Sequence, residues 1–203
     1  MGGLSVTTPV NLPTSYLNRP FPVQKTWNAQ ETVPAGDLDA NVRDAVNYML
    51  APPRCTVYCA NRAQITSATP AAFALDTVLT STDNMWTSQN PSVITFQTPG
   101  VYKIAAYLHY PYQSGANIEF HLGFAQNAGG LWPVAGAPNR LCEDTRQASG
   151  NASFGTSIWI SGIYPFNRGD YVQLFTAQTY TSAIAPQGGQ FGSQVAARWI
   201  STN

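Results

Sequence analysis

From residue 54 to the C-terminus, apolar residues recur at every second position in short runs broken by Gly, Pro, Asn and Ser, a pattern that predicts strands. The runs place them at 54–60, 71–79, 92–97, 101–110, 117–125, 153–165, 170–178 and 191–201. Strands at this spacing predict an all-β sandwich or jelly roll. Ahead of them the period changes. Between Asp37 and Leu50, the residues Leu38, Val42, Ala45, Val46 and Met49 recur at three and four positions and form one apolar helical stripe. Gly36 or Asp37 caps this helix, Asp37 and Asp39 suit its positive end, and Pro52-Pro53 stops it. A helix of about fourteen residues is marginal alone and must pack on something. Residues 1–35 hold neither period for long, yet Leu4, Val6, Tyr16, Leu17, Phe21, Val23 and Trp27 give them more apolar anchors than a solvated tail carries. The expected organisation is an extended docking arm over 1–35, a helix and Pro-Pro linker over 36–53, and a β head over 54–203.

Several predicted strands are apolar on both faces. Along 101–110, Tyr102, Ile104, Ala106 and Leu108 face one way, whereas Ala105, Tyr107 and His109 face the other. Likewise Ile158 and Ile160 oppose Trp159, and Val172 and Leu174 oppose Tyr171 and Phe175. An isolated antiparallel sandwich alternates apolar with polar residues, so the second apolar face needs a cover. Charged residues make up only 10% of the chain, against about a quarter in typical soluble proteins, which agrees with extensive covering. Copies of the same chain are the economical cover, with Tyr107, His109, Trp159, Tyr171 and Phe175 as candidate interface residues. A loop laid over a central strand is the alternative.

Net charge is zero and no Lys/Arg cluster occurs, so the footprint of a nucleic-acid binder is missing. No stretch approaches the ~18 apolar residues that span a bilayer, and no membrane insertion is expected. Met1 to Leu12 lacks a basic region followed by an apolar one, so no secretory leader is expected either. Of the three cysteines, Cys55 and Cys59 would lie on one strand face about 13 Å apart, too far to pair, and reduced thiols are expected. His-Glu-x-x-His, Gly-x-Ser-x-Gly and Gly-rich phosphate-loop patterns are all absent, and no catalytic residue, cofactor or metal is expected. His109 and His121 could approach each other with a cysteine only if their strands were neighbours. Arg168-Gly169-Asp170 spells an adhesion tripeptide, but a turn whose Asp bonds its own amides accounts for it. The long connection 126–149 is expected to be a surface excursion. It holds Trp132, Glu143 and Asp144, the candidate ligand contacts, with the Trp132 ring suited to stack on a sugar face.

Two stretches carry a resemblance. Phe96-Gln-Thr-Pro-Gly-Val-Tyr-Lys-Ile104, followed far downstream by Gly169-Asp170-Tyr-Val172-Gln-Leu174 and a closing strand from Phe191 to Ile200, resembles the trimeric jelly-roll head of C1q and tumour-necrosis-factor-like domains. The resemblance covers about Arg54 to Ser201, without a collagen-like repeat before the head, and implies a homotrimer that binds rather than catalyses. The stretch from Trp27 to Leu50 is similar to the adaptor that opens many tailed-bacteriophage structural proteins. Trp27, Val33, Ala35, Leu38, Asn41, Val42, Arg43, Asp44 and Asn47 match together, and Asp39 stands where that pattern has Asn. Together these resemblances imply a non-enzymatic virion protein at a tail tip or fibre. Leu4, Val6, Tyr16, Phe21, Trp27, Leu38, Val42 and Val46 would dock it to other virion structural proteins. Capsid decoration or a head fibre is the alternative, and a glycan depolymerase a third reading.

Overall fold

The computed structural model describes residues 51–202, apart from 67, 115, 116 and 150–154, together with the single positions Thr32, Gly36, Val46 and Leu50. Gly36, Val46 and Leu50 have helical backbone; the rest of the expected helix and arm, with Leu4, Val6, Tyr16, Phe21, Trp27, Leu38 and Val42, lies outside the described residues.

Ten strands are named among the described residues: β1 (Arg54–Tyr58), β2 (Ala71–Ala72), β3 (Thr77–Ser81), β4 (Val93–Thr95), β5 (Gly100–Tyr110), β6 (Glu119–Gln126), β7 (Arg140–Gln147), β8 (Thr156–Phe166), β9 (Tyr171–Gln178) and β10 (Ser193–Ser201). They form two antiparallel sheets, the first in the order β3-β1-β10-β5-β8 and the second β2-β9-β6-β7, with β4 also pairing β9. The first and last strands lie side by side, and β8, β9 and β10 alternate between the sheets, so the chain is an all-β jelly roll.

Strand alternation fills the space between the sheets. Tyr102, Ile104 and Leu108 of β5, Ile158 of β8, Phe120, Leu122 and Phe124 of β6, and Val172 and Leu174 of β9 are all buried there. Each such side chain contributes about 1.5–3 kcal/mol. At one end Phe96 stacks on Phe166 with centroids 3.9 Å apart, and Tyr102 donates its hydroxyl to Thr98 O at 2.7 Å. At the other, Tyr110 stacks on Phe120 at 4.0 Å, and its hydroxyl meets Thr176 Oγ1 at 2.6 Å, joining the two sheets. Gly100 is required where it stands: φ is 149°, and a Cβ would come within 2.2 Å of Trp199 Nε1.

Two expectations change. The predicted strand 71–79 is two short pieces in different sheets, because the chain crosses over between them. Asp76 turns it, accepting hydrogen bonds from Ala60 N at 2.7 Å and Asn61 N at 2.9 Å. The connection 126–149 is not one surface excursion, since its second half is β7, paired with β6 from Glu119–Gln147 to Ala125–Arg140. Its loop proper is 127–139.

Following the strands gives the head two poles. One carries the start of β1, the end of β10, and the turns 96–99, 127–139 and 167–170. The other carries the connections 59–70, 111–118, 148–155 and 179–192. Residue 54, where the head begins, is at the first pole.

Candidate functional site

The outer faces of the two sheets are unlike. On the first, Tyr107 is the register partner of Trp159 on one side and Gln194 on the other, and Ala105 pairs with Ala196 in the next row. The alanines leave a shallow recess walled by Tyr107 and Trp159. Trp159 is 59% exposed and Ile163, two rows along β8, is 60% exposed. Tyr107 Oη lies 3.1 Å from Ser157 Oγ, which lies 2.8 Å from His109 Nδ1. Three of the five candidate interface residues, Tyr107, His109 and Trp159, thus share one uncovered apolar face. Ile163, Ala105 and Ala196 belong to it too. Ile163 was legible by counting in twos from Trp159; the recess was not, because its floor comes from strands about ninety residues apart in sequence.

The other two candidates, Tyr171 and Phe175, lie on the second sheet, where the loop 127–139 of the same chain supplies the cover. Phe175 is fully buried, with the Trp132 ring 5.3 Å from its own. Tyr171 Oη accepts a hydrogen bond from Gly129 N at 2.9 Å, Gln173 Oε1 accepts one from Gly130 N at 2.9 Å, and Asn127 Oδ1 accepts one from Tyr171 N at 2.9 Å. These bonds hold the loop down as a strap. Phe175 therefore needs no neighbouring copy, a correction to the reading of β9 from its alternation alone.

Trp132 is likewise not a free aromatic. Its half-buried indole sits on Gly123, where a Cβ would come within 2.3 Å of Cη2. The His121 ring stands edge-on at 5.2 Å, and the Arg140 guanidinium lies over the indole, 4.8 Å from its centroid. Glu143 pairs with Arg140, and Asp144 accepts from Arg146 Nε at 2.8 Å. The three candidate host-contact residues lie on or beside one strap, but each is engaged by its own chain. His121 Nδ1 meets Thr145 Oγ1 at 3.2 Å, whereas its Nε2 is buried without a hydrogen bond, 3.7 Å from Glu143 Oε2. Burial holds the His121 pKa below its ordinary value; Arg140 adds to the lowering, and Glu143 and Asp144 oppose it.

His109 and His121 lie in different sheets, on opposite outer faces, and share no site. Among the described residues no three of His, Cys, Asp and Glu gather as a metal-binding group. The three cysteines are unpaired, and burial pushes the Cys55 thiol up to about 11. In the Arg168-Gly169-Asp170 turn, Asp170 accepts from Asn167 N at 2.7 Å, Gln126 Nε2 at 3.0 Å and Asn127 Nδ2 at 2.8 Å. Its carboxylate fastens the strap to the turn.

No protein-family model matches the sequence, and no curated sequence is similar to it. The fold has known relatives. The globular domain of zebrafish complement 1qA superposes with a TM-score of 0.51 at 14% identity, covering 74% of this chain and 99% of that domain. Crystal structures of murine APRIL at pH 5.0 and pH 8.0 superpose with a TM-score of 0.52 at 9% identity, covering 73% of this chain and 98% of APRIL. The head has the C1q and tumour-necrosis-factor-like jelly-roll fold. At these identities the likeness is one of fold.

Proposed function

We propose that this chain is a non-enzymatic structural protein of a tailed-phage virion, a homotrimer docked by its N-terminal arm and helix, with the head projecting to contact host cell-surface glycan at a tail tip or fibre. The observation that carries the assembly reading is the uncovered apolar face of the first sheet, with Trp159 and Ile163 more than half exposed. Such a patch marks an interaction surface, and the fold is commonly trimeric. The virion reading rests on the adaptor-like sequence from Trp27 to Leu50. Val46, the one docking candidate among the described residues, is exposed on helical backbone and so available to a partner.

The engagement of Trp132, Glu143 and Asp144 moves the proposed host contact. The strap leaves the head at the pole where the arm enters, so the opposite pole, with Phe191 84% exposed, faces outward in a docked particle. Capsid decoration is the second reading, favoured by a strap held shut at the arm-side pole. The depolymerase reading is weakened because Glu143 and Asp144 are each held by an arginine. Sedimentation of the purified chain at micromolar concentration tests assembly: a trimer is expected, and a stable monomer would end that reading. Deleting residues 1–35 tests docking, with loss of incorporation into particles expected. Imaging of intact particles separates tail from capsid.

A further inference from the structure

Arg54, Arg198 and Lys103 stand side by side across three neighbouring strands. Arg54 is the register partner of Arg198, and Arg198 of Lys103. All three are exposed, and alternation puts them on the outer face of the first sheet, because Cys55, Ala197 and Ile104 beside them are buried in the core. Adjacent strands are about 4.8 Å apart, so the backbone positions of three cationic residues fall within about 10 Å. Like charges directly opposite in a sheet oppose its pairing. An anionic group is expected over them.

None of the head's acidic side chains supplies it. The head's acids are Asp76, Asp83, Glu119, Glu143, Asp144 and Asp170. Asp76 holds the amides of Ala60 and Asn61, and Asp83 accepts from Thr98 Oγ1. Glu143 and Asp144 hold Arg140 and Arg146, and Asp170 holds the strap. Glu119 starts β6 in the other sheet, at the other pole. Among the described residues none of the three cations has an ion-pair partner. The chain's remaining acids, Glu31, Asp37, Asp39 and Asp44, fall together in residues 31–44, where Arg43 is the single base. Residues 45–53 join that segment to Arg54. Fully extended they reach about 30 Å, and as helix about half that, either of which spans the row.

We propose that the acidic segment 31–44 docks, within its own chain, on the row Arg54–Arg198–Lys103. The row lies at the arm-side end of the apolar outer face, with Ile163 paired beside Lys103. Docking there neutralises the end of a face that otherwise repels its own copies, and sets the direction in which the arm leaves the head. The inference concerns the isolated chain and stands apart from the virion and trimer readings.

Lys25 and Lys103 are the two lysines of the sequence, which makes the contact readable by carbodiimide coupling of the full-length protein. The reagent activates a carboxylate and leaves with one of its oxygens as the urea, while the Lys103 amine forms the amide and releases a proton. Mass spectrometry of the digest is expected to find Lys103 joined to Glu31, Asp37, Asp39 or Asp44. Replacing two cations, Arg54→Glu with Arg198→Glu, is expected to lower the yield roughly twofold to tenfold. For the unaltered chain, about 1 M salt, where the screening length is ~3 Å, is expected to do the same. The proposal fails if Lys103 joins none of the four acids, or if neither charge reversal nor salt lowers the yield, since a mere tether would then explain it. It also fails if a mixture of isotope-labelled and unlabelled chains gives mixed cross-links, which would assign the segment to another copy.

Discussion

Gly123 shows how one missing side chain positions another residue. With no Cβ in the way, the Trp132 indole lies against β6, closing over Phe175 and His121. Gly123→Ala puts a methyl group where the indole sits, and overpacking of this kind costs about 1–3 kcal/mol. The expected outcome is a lower urea midpoint and a red-shifted tryptophan emission that Trp132→Phe removes. His121, beneath the same ring, gives a pH dependence with a definite sign. Its pKa is lowered on folding, chiefly by burial, so the unfolded or strap-open chain binds the proton more readily. The stability it contributes is full above its ordinary value near 6.5 and is lost as pH falls from there toward the folded pKa. Urea midpoints compared at about pH 7.5 and about pH 5 should fall less in His121→Gln than in the unaltered chain. Sequence alone marked Trp132 as an aromatic worth testing. Its seat was illegible because Gly123 looks like any other strand glycine until the strap folds back on it.

Among the elements, β8 and β9 read alike and behave differently. Each puts aliphatic residues on the core face and at least one aromatic on the other, Trp159 in β8 and Tyr171 with Phe175 in β9. The alternation correctly separated core from outer positions in both. What covers the outer face is a separate matter, settled for β9 by the strap and for β8 by none of the described residues. On the proposed assembly, the pair Trp159→Glu and Ile163→Glu should therefore leave the far-ultraviolet spectrum intact while shifting sedimentation from trimer to monomer, because charges on an uncovered face cost the monomer little. An unchanged trimer would place its interface elsewhere. Phe175→Glu, by contrast, should unfold the chain or free the strap, since it buries a charge under Trp132.

At the scale of the molecule, the strand directions decide which end of the head faces away from the arm. The connections 59–70, 111–118, 148–155 and 179–192 gather at the pole opposite residue 54, and Phe191 is the large apolar side chain most exposed there. On the proposed function, Phe191→Ser should lower adsorption to host cells without lowering incorporation into particles, both measured on the same preparation. If adsorption is unchanged, Phe191 is not a contact. The sequence by itself determined the all-β class, most of the strands, the turn around Gly169, and the core faces of β5, β8 and β9. These follow from local period and from turn residues whose preferences act over a few positions. Only the tertiary structure decided that 71–79 crosses between sheets, that 140–147 is a strand, that His109 and His121 lie on opposite faces, and that Phe175 is covered while Trp159 is not. Each of these depends on which distant segments become neighbours, and a pattern of period two is the same whether its outer face meets water, a strap or another chain.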